Sequence, residues 1–200
     1  MGRLEDLDSV LSSCGVQLTD RQGEQILAYL SLLKKWRGRQ NLTSVIDGGE
    51  LLRFHFIEAC WAASLFLPSR STLADIGSGA GFPGMVMKLY QPSLRVSLIE
   101  KSYKKSVFLT QLAQGLSLEV DVFNGLAEDF SGWDQVDVAV IRALRPSPEL
   151  LHLLSRKLVM LLIFHGREVP SLTAWHPEKR ERFPLSRNRW ATLYRAHVDM

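Results

Sequence analysis

Apolar residues fall into two regimes along the chain. Before Pro68 they recur every three or four positions, the period of a helix with one buried face. Leu4, Leu7, Val10 and Leu11 form one stripe, Ile26, Leu30, Leu33 and Trp36 a second, and residues 51–67 a third that stops ahead of the proline. Thr19 or Asp20 offers a capping oxygen where the second helix would begin. Beyond residue 72, short apolar runs alternate with helical connectors. The runs predict strands over residues 73–76, 96–100, 118–122, 136–141 and 158–164, and helices over 83–89, 101–114 and 148–155. Near-continuous apolar strands separated by helices imply an α/β fold, a mainly parallel sheet covered on both faces. Residues 182–198 predict two antiparallel edge strands around a turn at 186–189. With no repeat and no polar linker, the expected organisation is one integrated unit: an N-terminal helical extension (1–68) on a sheet-containing core (69–200).

Composition narrows the setting. A chain of 200 residues can bury a core without disulfides. Cys14 and Cys60 lie in apolar helical stripes and read as reduced packing thiols. No apolar run reaches the roughly eighteen residues of a membrane helix. The acidic start, Glu5, Asp6 and Asp8, is unlike a signal peptide. These features predict a soluble cytoplasmic protein with no membrane partner. Twenty-four Lys and Arg against 21 Asp and Glu leave a net charge of +3, which favours a polyanionic partner only if focused on one face. The five histidines, His55, His152, His165, His176 and His197, are scattered, so no metal site is expected.

The candidate chemistry begins where the first strand ends. In the run Leu73-Ala74-Asp75-Ile76-Gly77-Ser78-Gly79-Ala80-Gly81-Phe82-Pro83-Gly84, a buried strand meets a glycine-rich turn and then a helix. Gly77, Gly79 and Gly81 can take backbone conformations closed to other residues and let a ligand approach the main chain, and the helix start offers unpaired donors. Asp75 before the turn suits a cationic ligand better than a pyrophosphate. Glu100, ending the second strand, is placed to accept both hydroxyls of a ribose. Read this way, the residues favour S-adenosylmethionine and leave NAD, or a turn that only packs, open.

Four segments together carry a resemblance. Asn41-Leu42-Thr43, the run from Asp75 to Gly84, Ala127-Glu128 after the third strand and Arg142-Ala143 after the fourth resemble the bacterial small-subunit ribosomal RNA methyltransferase G family, also called the glucose-inhibited division protein B family. The resemblance covers roughly residues 30 to 164. It implies a class I S-adenosylmethionine-dependent methyltransferase fold acting on guanine N7 of small-subunit (16S) ribosomal RNA, naked or in the 30S particle, by a monomer that does not act on DNA. It also implies cofactor contacts at Gly77, Ser78, Gly79, Gly81 and Phe82 in the turn, an acidic ribose ligand at Glu100, an adenine-side pair at Ala127 and Glu128, and an arginine at Arg142 serving cofactor and catalysis.

N7 of guanine carries a free lone pair, so methylation there needs alignment, with reacting atoms about 3 to 3.5 Å apart, more than it needs a base. Neither cysteine sits in a nucleophile loop, and the fourth strand leads into Ile141-Arg142-Ala143-Leu144-Arg145-Pro146 instead of the Asn/Asp-Pro-Pro-aromatic motif of amine methylation. Arg142 can hold a phosphate, guanine O6 or the methionine carboxylate. An RNA footprint could draw on Lys34, Lys35, Arg37 and Arg39, on Lys101, Lys104 and Lys105, or on Lys179, Arg180, Arg182, Arg187 and Arg189, with Trp175, Trp190 and Tyr194 as stacking groups. The chain also departs from the family pattern. Phe54 stands where an arginine usually precedes the histidine matched by His55. Glu58-Ala59 replaces aspartate-serine, Leu126 an arginine, and His165-Gly166 a lysine-glycine. These departures fall mostly on the expected RNA-facing half.

Overall fold

The computed structural model describes residues 9–37, 48–157 and 160–196. Leu4, Leu7, Arg39, Asn41, Leu42, Thr43 and His197 lie outside them. Residues 9–13 are helical, and α1 (Asp20–Arg37) follows. Its start is a reciprocal cap: the Gln22 N–H donates to Thr19 Oγ1 at 3.3 Å while the Thr19 N–H donates to Gln22 Oε1 at 2.9 Å. Helix α2 (Gly48–Leu51), a π-helical segment (Leu52–Ile57) and α3 (Glu58–Phe66) run on from one another. The expected third helix is therefore present, with a widened turn inside it. Such turns often sit at functional sites, and this one carries His55.

A seven-stranded sheet forms the centre. Its strands are β1 (Thr72–Ile76), β2 (Arg95–Ile99), β3 (Asp121–Phe123), β4 (Val138–Arg142), β5 (Met160–His165), β6 (Trp175–Arg182) and β7 (Trp190–Ala196), in the order β3-β2-β1-β4-β5-β7-β6. The first five are mutually parallel and β7 is antiparallel to both its neighbours. Helices α4 (Gly84–Tyr90), α5 (Tyr103–Leu116) and α6 (Pro148–Lys157) connect them. Alternate residues of one strand feed opposite cores. Leu73, Val138, Val140 and Leu162 join α1, α3, α4 and α5 on one face, whereas Ala74, Ile76, Ala139, Ile141, Leu161 and Ile163 pack against α6 on the other. Burial on both faces explains why these strands read as continuous apolar runs. No helix among the described residues is long and apolar enough to cross a membrane.

Among the strands, the boundaries differ most from expectation at three places. Leu118 still belongs to the end of α5, where its N–H bonds Ala113 O at 2.9 Å past a left-handed Ser117, so β3 starts at Asp121. Val136 closes a short 3-10 turn by bonding Trp133 O, which delays β4 to Val138. The terminal hairpin begins earlier than expected, at Trp175, and of its two strands only β6 is at an edge of the sheet. β7 is inserted between β5 and β6 and is largely buried. The charged sequence of β6, His-Pro-Glu-Lys-Arg-Glu-Arg after Trp175, reads as a loop by composition. Exposed charge of this kind is how an edge strand is protected from pairing with another chain.

Candidate active site

The carboxyl ends of β1, β2 and β4 converge on the glycine turn. Gly77, Gly79 and Gly81 all have positive φ (73°, 58° and 91°), as expected for a chain that reverses within four residues. The N–H groups of Gly77 and Ser78 both donate to Ile99 O of β2, at 2.9 and 3.1 Å. Glu100 then ties the turn down: Oε2 accepts from the Gly79 N–H at 2.9 Å and Oε1 from the Ser102 N–H at 2.8 Å.

Two cavities meet at this turn. One, of about 360 Å³, is lined by Gly77, Glu100, Lys101, Leu126, Ala127 and Glu128, with Arg142 at its end. The other, of about 600 Å³, is lined by Gly77, Ser78, Gly79, Phe82, His55, Glu58, Arg142, His165 and Arg189. A mainly apolar cavity of about 800 Å³ adjoins the second at Ala143, Phe164 and His165. Gly77, Ser78, Gly79, Phe82, Glu100, Ala127, Glu128 and Arg142 thus converge on one continuous space, as required of residues expected to share a ligand.

Asp75 and Gly81 do not reach that space, which corrects their expected contact with a ligand. Asp75 lies behind the turn, fully buried, where Oδ2 accepts the Gly84 N–H of α4 at 2.9 Å and Oδ1 has no partner. Burial pushes its carboxyl up to about 7, against the lowering effect of the Gly84 hydrogen bond, while the Ser78 hydroxyl donates to the Asp75 main-chain carbonyl at 2.9 Å. Gly81 is turned inward, and a Cβ there would overlap the Tyr29 hydroxyl. Both residues shape the turn from the protein side.

The second cavity is organised by Arg142, whose side chain is only 10% exposed. Its Nη1 bonds His55 Nδ1 at 3.0 Å, Nη2 donates to the Phe54 carbonyl, and Nη2 lies 2.9 Å from Glu58 Oε2. Arg189, from the hairpin, reaches the same Glu58 oxygen at 3.3 Å and stacks over the Phe54 ring at 4.4 Å. Burial pushes the Glu58 carboxyl up while Arg142 and Arg189 pull it back. A guanidinium can only donate, so His55 Nδ1 is the acceptor and the ring proton sits on Nε2. Burial, then Arg142 and Arg189, lower the His55 pKa to about 3, which keeps the imidazole neutral.

Three of the positions that depart from the family pattern, Phe54, Glu58 and His165, are brought together around this cavity. His165 Nε2 is 2.7 Å from Thr192 Oγ1 and Nδ1 is 2.7 Å from Gly166 O. The basic clusters are divided. Lys101 and Lys105 border the smaller cavity and Arg189 the larger, while Lys179 donates to Leu65 O and Arg180 to Arg167 O. Trp175 and Tyr194 are buried core residues and are not available for stacking; Trp190 is covered by Arg180 at 4.0 Å. Sequence reasoning missed Tyr29, which bonds the Ala80 carbonyl in the turn, and the role of Glu58 as the anion binding two arginines.

A family model described as rRNA small subunit methyltransferase G (GidB) matches residues 22–166. The chain belongs to this family. The Ribosomal RNA small subunit methyltransferase G of Roseiflexus castenholzii is 38% identical over 145 residues, which make up 70% of this chain and 62% of that protein. The chain spans about three fifths of the length of such curated relatives. Among solved structures, a SAM dependent methyltransferase from Aquifex aeolicus superposes with a TM-score of 0.59 at 15% identity, over 76% of this chain and 95% of that one. MtNAS, solved in complex with MTA and tNA, gives a TM-score of 0.64 at 14% identity, over 87% of this chain and 70% of that one. These likenesses, with the strand order, identify the class I Rossmann-like methyltransferase fold. The family match ends before β6, so the hairpin that brings Arg189 to the cavity lies beyond it.

Proposed function

We propose that this protein transfers the methyl group of S-adenosylmethionine to N7 of a guanine in small-subunit ribosomal RNA. The observation that carries this reading is the glycine turn anchored to Glu100 at the junction of two cavities, in a chain of this family. The residues suit the cofactor. A Cβ at Gly79 would meet only Gly77 O, at 3.7 Å, so the turn leaves open space toward the cavity. Each Glu100 oxygen accepts one backbone N–H and keeps lone-pair capacity for a ribose hydroxyl. Ala127 and the half-exposed Leu126 supply an apolar wall for adenine.

When bound, S-adenosylmethionine supplies an electrophilic methyl carried on a sulfonium. The second cavity shares Gly77 with the first, and its residues can orient an acceptor base there. Neutral His55 offers an Nε2–H, matching guanine O6 beside a free N7 lone pair. Arg142, its charge offset by Glu58, fixes the ring that makes this offer and removes no proton, in keeping with an acceptor that has none to lose.

Transfer of labelled methyl from S-adenosylmethionine to small-subunit RNA, offered naked and as 30S particles, tests the proposal. Label in N7-methylguanine is the expected result. Label in another base or none at all in either substrate would overturn the acceptor assignment, and tight cofactor binding without transfer would make the chain a binding module.

A further inference from the structure

Beneath the glycine turn lies a side chain from outside the sheet. Tyr29 of α1 is wholly buried. Its hydroxyl donates to the Ala80 carbonyl at 2.7 Å, a contact spanning 51 positions of sequence. Its ring stacks on Phe82 at 5.2 Å and 12°, and meets Phe56 edge-on at 4.9 Å. Phe82 in turn meets the His55 ring at 4.8 Å. The Tyr29 hydroxyl thus occupies the space that a side chain on Gly81 would need, and α1 touches, through one residue, both the turn and the ring beside the second cavity.

We propose that Tyr29 is a positioning residue for the cofactor: it draws the Ala80 carbonyl away from the cavity and so holds the backbone of residues 77–79 in the ligand-facing conformation. This rests on S-adenosylmethionine being the ligand of that turn. A buried hydroxyl is costly unless paired, and Ala80 O is the partner that pairs it. Burial, with Asp75 nearby, pushes the phenol well above its ordinary pKa, so the hydroxyl remains a donor throughout the working range. A turn of three positive-φ glycines has many conformations open to it. The tie selects one of them before the ligand arrives, and apparent affinity scales with the fraction of molecules already competent.

Tyr29→Phe removes one oxygen and keeps both ring contacts. Losing a single neutral hydrogen bond should raise the Kd and KM for S-adenosylmethionine about five- to tenfold, while kcat at saturating cofactor stays within about twofold of wild type. Gln25→Ala is the control on the same helix, since it deletes a 2.8 Å bond to Leu116 O on α5, away from the turn. Both variants should lower the Tm by a few degrees, but only Tyr29→Phe should weaken binding in a calorimetric titration of the full chain. If Tyr29→Phe lowers the Tm and leaves Kd unchanged, Tyr29 merely packs and the inference is overturned. It is equally overturned if Gln25→Ala weakens binding as much. Wild-type protein that fails to bind S-adenosylmethionine at all would overturn the cofactor reading as well.

Discussion

Around Gly79 the protein shapes its cavity with backbone, whereas around His55 it does so with charged and aromatic side chains. In the first region the determining bonds are N–H groups of residues 77–79 on Ile99 O and Glu100, set by local glycine conformations. In the second, one carboxylate, Glu58, holds Arg142 and Arg189, which come from a strand end and a hairpin turn. The difference has consequences for how each region tolerates change. A backbone cradle fails when a side chain is added at one of its glycines. A buried ion network can keep its shape while its members are exchanged, provided no charge is left alone. Three of the departures from the family pattern, Phe54, Glu58 and His165, lie in the second region, while one, Leu126, borders the smaller cavity of the first.

The sharpest way to break the cradle is Gly81→Ala. Its φ of 91° disfavours any Cβ, and the added atom meets Tyr29 and comes within 3.1 Å of Met85 Cβ. Backbone strain of about 1–3 kcal/mol plus that overlap should reduce S-adenosylmethionine affinity at least about 100-fold in a calorimetric titration. Arg142→Lys separates the two regions. The lysine keeps a charge near Glu58 but loses the fork that reaches His55 and Phe54 O together. Methyl transfer should fall about 100-fold with cofactor affinity changed less than about threefold, provided circular dichroism shows the fold intact. Equal loss of affinity and turnover would show the two regions to be one. Glu100→Gln leaves one acceptor oxygen for two N–H groups, so cofactor affinity should drop about tenfold.

The smallest effect is one of pH. His55 is held neutral with a pKa of about 3 against an ordinary 6.5, so its share of stability is present above 6.5 and lost as pH falls toward 3. Asp75, raised from 3.8 to about 7, runs the other way: its share is complete below 3.8 and lost as pH rises through 7. Asp75→Asn isolates the second term. The Tm of wild type relative to this variant should be most favourable near pH 4 and decline toward pH 8; a difference that does not vary with pH would contradict the burial assigned to Asp75.

What could be read from the chain follows the same division. β1, the glycine turn and Glu100 declare themselves locally, because a buried strand, positive φ and an acidic strand end each leave a signature within a few residues. Parallel β2, β3, β4 and β5 were legible for the same reason, with β3 starting three residues late and β4 two where α5 and a 3-10 turn hold on to Leu118 and Val136. β6 was not, because an exposed edge strand carries its charge on the surface and loses the apolar signal. The pairing within the side-chain network has no local signature: Glu58 and Arg189 are 131 positions apart, and in sequence they read separately, as a departure from the family pattern and as one basic residue of a candidate RNA footprint. Tyr29 drew no reading from the sequence, since nothing nearby announces that its hydroxyl meets Ala80.

The most direct test of the central claim is the position of the transferred methyl within small-subunit RNA. Guanine methylated at N7 becomes labile to borohydride reduction, and aniline then cleaves the chain at that nucleotide. RNA treated with the protein and S-adenosylmethionine should break at one guanine, and RNA treated with Arg142→Lys protein should show that break only faintly. Labelled RNA that resists cleavage, or breaks equally with the variant, would contradict N7 transfer from a site organised by Arg142.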